Sequence, residues 1–315
     1  MSSYPVPGET PISSDVVYDC VIIGGGPAGL TAAIFLGRYR RRVLLLDTGE
    51  PRNYASRGIH GFLGHHEIAP HELRARGRRE AESVGVRLLE ARATGIRRSG
   101  DCFEVRTENE KYHARRVLLA FGVRDKVPDL PRFDEFFGRS AFHCPDCDGW
   151  EMRDRRIGVI GKGKSVAGLA LKLLQWSDDV TVFTDGEDPS LNREQVSKLE
   201  AQGIRVKVDP ITELEGDGGA LRALHLRSGE RVPCEALFFT LGVERSSGIA
   251  EECGCGIRPG TGDIDVDEHQ ETSVTGIYAA GDLTFGSQLA IKAAAEGAVA
   301  AIAINKSLLP PALRV

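Results

Sequence analysis

Basic charge is in short supply in this chain: 40 Lys and Arg stand against 45 Asp and Glu over 315 residues, a formal net charge of −5. No surplus remains to neutralise phosphates, which argues against a nucleic-acid binder. The arginine-rich stretches from Arg38 to Arg42 and from Arg74 to Arg79 read instead as solvated helix faces. Also missing is any apolar run of about 18 residues or more, and with it a membrane span. Met1 to Val17 lacks the basic and apolar regions of a secretory signal, so it reads as a loosely ordered extension of a cytoplasmic protein. What is present, 41% apolar and 27% charged residues, suits a soluble globular chain long enough for two domains with a core in each.

Cysteine is sparse and odd in number, seven in all. In a reducing compartment a general disulfide framework is therefore not expected. Cys20, Cys102, Cys234, Cys253 and Cys255 read as small core residues. Cys253-Gly254-Cys255 is a second close pair, but it lacks the C-x-x-C spacing of Cys144 and Cys147.

Two segments carry the pattern of a dinucleotide-binding unit. Tyr18 to Ile23 is a short apolar strand that runs into Gly24-Gly25-Gly26-Pro27-Ala28-Gly29. A helix from Leu30 to Leu36, a strand from Val43 to Leu46 and the acid Asp47 follow. This is a complete strand, G-x-G-x-x-G, helix, strand, acid fingerprint, with the acid about 20 residues on. The glycines let backbone touch a pyrophosphate, the helix N-terminus attracts its charge, and Asp47 suits a ribose hydroxyl pair.

The second copy begins at Ile157 to Ile160 and continues through Gly161-Lys162-Gly163-Lys164-Ser165-Val166 to a helix, Ala167 to Gln175, and a strand, Val180 to Phe183. It is altered. Val166 replaces the third small residue, Thr184 stands where Asp47 stands in the first copy, and no arginine follows until Arg193 to pair with a 2′-phosphate. Two readings remain, a Rossmann scaffold kept for structure and a working nicotinamide site. A third element, Thr275 to Asp282, is a buried strand ending in Gly281-Asp282 ahead of an alanine-rich helix, Gln288 to Ser307. Its aspartate suits a polyol hydroxyl, although Gly-Asp also ends many ordinary strands.

The expected fold is α/β, with two Rossmann-like, three-layer ββα nucleotide-binding domains, the second inserted into the first. Residues 1–123 and 245–315 form the first and 124–244 the second. Gly122-Val123-Arg124 and Gly242-Val243-Glu244 are the candidate hinges.

His143-Cys144-Pro145-Asp146-Cys147-Asp148 brings two sulfurs within disulfide reach across one turn. A helix start at the pair favours thiolate on the first sulfur, while Asp146 opposes it. Asp148 is placed to pass a proton to or from a thiolate. A zinc half-site and a chance pairing are the alternatives; zinc lacks two further ligands at suitable spacing. No metal site is expected.

Together these motifs resemble the low-molecular-weight thioredoxin reductase family from about Asp19 to Leu308. The resemblance implies a homodimer with FAD in the split domain and a thioredoxin-like protein as partner. It implies that Cys147 faces the flavin, Cys144 attacks the substrate disulfide, Asp148 is the acid/base and Asp282 holds the ribityl chain. FAD-contacting positions follow at Gly24, Gly26, Ala28, Gly29, Asp47, Arg52, Asn53, Gly122, Gly281, Asp282, Gln288 and Leu289. Typical members carry His-Arg-Arg for the NADPH 2′-phosphate where this chain has Thr184-Asp185-Gly186, which argues against NADPH. His60 to Gly64, His143 to Glu151 and Gln175 to Asp179 resemble the branch of ferredoxin-linked and deeply branching reductases and flavin dithiol oxidases. The expected function is therefore an FAD-dependent disulfide reductase that passes electrons through Cys144 and Cys147 to a thioredoxin-type disulfide, with ferredoxin or another reductant as donor. The alternatives are a dithiol oxidase using oxygen and a non-enzymatic flavin redox sensor.

Overall fold

The structure is a computed structural model, and it describes residues 12, 13 and 15–313. Strands Arg87–Glu90, Val43–Asp47, Val17–Ile23 and Lys111–Leu119 lie side by side in parallel, and Ile277–Ala279 pairs with the end of the last. The start of Lys111–Leu119 turns the other way into an antiparallel meander with Cys102–Thr107 and Ala93–Ser99. One strand thus serves two layers. The parallel strands are covered on both faces, which is why Val43–Asp47 is buried throughout instead of alternating.

The period of two sorts the first strand's side chains. Cys20 and Ile22 face the helices Pro27–Arg38 and Ala290–Ser307, while Val21 and Ile23 face the meander with Phe103 and Val105. The two helices meet through Ala28, Ala32, Ala33, Ala300 and Ala301, small residues that let the axes come close. At their nearest point a Cβ on Gly297 would lie 2.1 Å from the Ala28 carbonyl oxygen.

The same layering recurs in residues 141–239. Arg205–Lys207, Val180–Phe183, Ile157–Ile160, Ala236–Phe239 and Ala141–Phe142 form a parallel sheet. Helices Gly163–Leu173 and Arg193–Ala201 follow its strands, and the antiparallel ribbon Ile211–Asp217, Ala220–Leu226 and Arg231–Pro233 accompanies them. The fold is thus two Rossmann-like units, the second carried between strands of the first. The chain crosses between the sheets at Gly122 and Gly242, both with positive φ, and the segments beyond them, Val123–Asp125 and Val243–Arg245, pair with each other as antiparallel strands.

Several element bounds differ from expectation. The first helix begins at Pro27, whose fixed φ suits a first helical position, and the second copy's helix begins at Gly163. Of the supposed N-terminal extension, residues 1–11 and 14 lie outside the described residues. Its end is not loose: Val17 opens the first strand, and Ile12 and Val16 pack on the core. Among the described residues no helix is long and apolar enough to cross a membrane.

The packing gives a paired test. Gly297→Ala forces a methyl group into the Ala28 backbone and is expected to cost about 1–3 kcal/mol. Gly168→Ala, exposed in mid-helix with open space around its Cβ, is expected to stabilise by about 0.5–1 kcal/mol. Thermal unfolding of the two variants should shift in opposite directions.

Candidate active site

Between the two sheets lies a cavity of about 1110 Å³. It opens from the first glycine-rich turn, whose three glycines do different things. Gly24 leaves the strand at φ +111, and a Cβ there would lie 2.2 Å from the Ala120 carbonyl oxygen. Gly29 is set back from the cavity, where a Cβ would strike the Gly24 carbonyl oxygen at 1.9 Å. Gly26 faces open space within the cavity, and the helix that follows has no side-chain cap, so its first N–H groups remain free for an anion. The helix Ala290–Ser307 also starts without a side-chain cap, with Leu289 and Ala290 on the cavity wall. Open backbone and two bare helix starts fit a dinucleotide pyrophosphate.

Gly24, Gly26, Ala28, Asp47, Arg52, Asn53, Gly122, Gly281, Asp282, Gln288 and Leu289 all line the cavity. Asp47 accepts from the Gly25 N–H at 3.1 Å and pairs with Arg74 at 2.6 Å and Arg78 at 3.3 Å. These two arginines are therefore not part of a solvated face, as the charge pattern implied. They neutralise a buried carboxylate, because a charge that close to a core needs a partner.

Arg52 gathers the opposite wall. Its fork donates to both oxygens of Asp125 at 3.0 and 2.5 Å, and its remaining nitrogen donates to Asp282 and Gln288, each at 2.8 Å. Burial works against its charge, but Asp125 and Asp282 outweigh that and raise its pKa. Asp125 in turn faces His143 at 3.5 Å, where burial lowers the imidazole pKa against the pull of Asp125. Asp125 was not foreseen: it stands in the hinge segment, and nothing in the chain marks it except its charge.

Cys144 and Cys147 form a disulfide around a single helical turn, Pro145–Asp148, with Cys144 at its N-cap. Cys147 and Asp148 line the cavity and Cys144 does not. His60, distant in sequence, donates from Nδ1 to the Cys147 carbonyl oxygen at 2.9 Å and lies 3.6 Å from both Asp148 and Glu151. In the sequence His60 is marked only as the start of the segment His60 to Gly64. Burial pushes the Asp148 carboxyl up to about 7, with Glu151 adding to the shift and His60 opposing it. A carboxyl poised there holds a proton beside the dithiol at neutral pH.

The second glycine-rich turn is closed by its own chain. The Gly163 N–H donates to the Pro189 carbonyl oxygen at 2.8 Å, and Lys162 pairs with Glu187. Thr184 bonds the Glu187 carbonyl oxygen at 2.6 Å, while Asp185 accepts from the Ile211 N–H at 2.7 Å. Val166 is fully buried among Ala167, Ala170 and Leu173, so it packs the core and does not project from the turn.

The chain matches the pyridine nucleotide-disulphide oxidoreductase family over residues 18–297. It is 32% identical to the thioredoxin reductase tcpT of Claviceps purpurea over 288 residues, 86% of this chain and 88% of that one. A match to the "probable thioredoxin reductase" of Arthroderma benhamiae is 34% identical over 191 residues; it takes in 58% of this chain and about half, 47%, of that relative's length. The solved structure of TrxB from Bacillus anthracis superposes with a TM-score of 0.86 at 34% identity over 92% of this chain and 98% of that one.

The raised carboxyl predicts a pH signature. Protonated Asp148 is the form that donates, so disulfide exchange should show a descending limb as pH rises through about 7. Asp148→Asn should lower the rate by about 10²- to 10⁴-fold and remove that limb. A retained limb in stopped-flow exchange would assign it to another group.

Proposed function

The chain belongs to the low-molecular-weight thioredoxin reductase family of pyridine nucleotide-disulphide oxidoreductases, and on that premise we propose that its Cys144–Cys147 dithiol exchanges with the disulfide of a thioredoxin-type protein while FAD occupies the cavity. The observation that carries the reading is the meeting of Cys147, Asp148 and the open glycine-rich turn in one cavity. Bound there, FAD supplies the two-electron exchange that keeps the dithiol cycling. Gly24, Gly26 and the helix start would hold its pyrophosphate, Asp47 a ribose, and Asp282 with Gln288 its polyol. The domain boundaries follow the crossing strands, with residues up to 123 and from 245 in one unit.

The cysteines divide the work by exposure to the cavity. Cys144, off the cavity wall, attacks the partner disulfide as a thiolate. One partner sulfur leaves and takes a proton, and a mixed disulfide forms at Cys144. Cys147 then attacks the Cys144 sulfur, the second partner thiol leaves, and the Cys144–Cys147 disulfide is restored. Asp148 holds the proton that a departing thiolate needs, and His60 keeps the Cys147 backbone in place beside it.

The donor is where this chain parts from its relatives. The Pro189 carbonyl and the Glu187 carboxylate already sit on the turn where a nicotinamide dinucleotide would put its pyrophosphate, which supports a donor other than NADPH. A small iron–sulfur protein such as ferredoxin is the donor favoured by the branch likeness. The same closed turn favours a second reading, a dithiol oxidase in which a small dithiol reduces the enzyme and oxygen accepts the electrons.

Anaerobic titration of the holoenzyme separates these. Micromolar NADPH and NADH are expected to leave the flavin absorbance unchanged, and reduced ferredoxin to bleach it. Oxidised thioredoxin should then restore the absorbance in wild type, and about 10³-fold more slowly in Cys144→Ser. Fast, saturable bleaching by NADPH would overturn the donor assignment. Steady oxygen consumption with a small dithiol, without transfer to thioredoxin, would give the chain to the oxidase reading.

A further inference from the structure

Away from the cavity dithiol, two more sulfurs lie close together. The Cys253 and Cys255 Sγ atoms are 3.7 Å apart across Gly254, whose φ of +85 folds the tripeptide back on itself. The backbone holds this turn firmly: the Cys253 N–H donates to Ile249 and the Cys255 N–H to Ala250, at 3.0 and 2.9 Å. A disulfide needs about 2.05 Å, so closure asks the two sulfurs to rotate toward each other. Access is graded. Cys253 is partly exposed and Cys255 is buried against Thr272.

We propose that Cys253 and Cys255 form a second redox-active pair, a modification site that closes to a disulfide when the protein meets a small-molecule disulfide oxidant. Cys253, the sulfur within reach of solvent, loses its proton and attacks one sulfur of the oxidant. A mixed disulfide forms at Cys253, and the first small thiol leaves with a proton. Cys255, as thiolate, then attacks the Cys253 sulfur, the Cys253–Cys255 bond forms and the second small thiol leaves. Two protein S–H bonds are lost, one S–S bond is made, and the oxidant is reduced to two thiols. Access sets this order, because the hydrogen bond to Cys255 and burial push the Cys253 thiol up while Cys255, the more acidic of the two, is shut off from solvent. A hydrogen bond from Cys253 lowers the Cys255 thiol to about 7, which keeps the resolving sulfur reactive near neutral pH. Buried Cys234, without a thiol neighbour, is instead pushed up to about 12 by desolvation.

The pair is positioned to be felt by the cavity. It ends the short helix Ile249–Glu252, whose first residue lines the cavity wall and whose Glu251 pairs with Arg245 of the crossing strand. The pair therefore sits at the end of the segment that leads from the crossing strands to the flavin-side wall.

Alkylation mapping of the holoenzyme tests it. The protein is equilibrated with oxidised glutathione, blocked with an alkylating reagent and digested, and the tryptic peptide that begins at Ser246 is weighed. The expected result is an unalkylated peptide two hydrogens lighter than its reduced form, with Cys20 and Cys234 unreacted until unfolding. Cys255→Ser is expected to trap glutathione on Cys253, and Cys253→Ser to leave Cys255 without an adduct. Full alkylation of both thiols, in a sample whose Cys144–Cys147 bond has stayed oxidised, would overturn the proposal. So would a Cys255→Ser protein of wild-type flavin content that carries no adduct at Cys253.

Discussion

The Arg52 guanidinium holds together three parts of the chain that the sequence keeps far apart. It ties Asp125 on a crossing strand to Asp282 at the end of a sheet strand and to Gln288 at the start of the C-terminal helix. A buried charge survives only when it is paired and hydrogen-bonded, and removal of one partner from such a group costs about 3–5 kcal/mol. The planar fork of arginine meets that demand where lysine does not, because both oxygens of Asp125 are engaged at once. Through Asp125 the network reaches His143, the residue before Cys144. The nucleotide cavity and the dithiol are thus joined by charge as well as by chain.

Around that junction the two Rossmann-like units make opposite use of the same turn. In the first, Gly26 looks into empty space and the helix start is bare. In the second, the Pro189 carbonyl occupies the Gly163 N–H and Glu187 occupies Lys162. A helix start leaves N–H groups without acceptors in its own helix. The first leaves them open to the cavity, and the second finds one in its own acidic loop. The structural difference between the two turns lies in a loop of six residues, Asp185 to Ser190.

Much of this was legible before any coordinates. The parallel strands, the glycine turns, the alanine-rich helix and the C-x-x-C pair are local patterns, set by the period of two in a strand and by the places where only glycine allows backbone to approach backbone. The element ends were read less well: the helices start at Pro27 and Gly163, inside the glycine turns and ahead of the apolar runs from which they were read. Arg74 and Arg78 were misread as solvated because a charge run on a helix says nothing of the carboxylate opposite it. His60 was one histidine among eight, and Asp125 one acid among many, until folding brought them to Cys147 and Arg52.

The sequence by itself determined the two Rossmann-like units, their nesting, and the dithiol with its neighbouring acid, because each is written in contiguous residues whose spacing is the geometry. The tertiary structure decided which sulfur faces the cavity, which histidine and acid attend it, and that the second turn is already filled. Those depend on distances between residues 25 apart, as Lys162 and Glu187 are, to 87 apart, as His60 and Cys147 are, and a chain states such distances only once its core has packed.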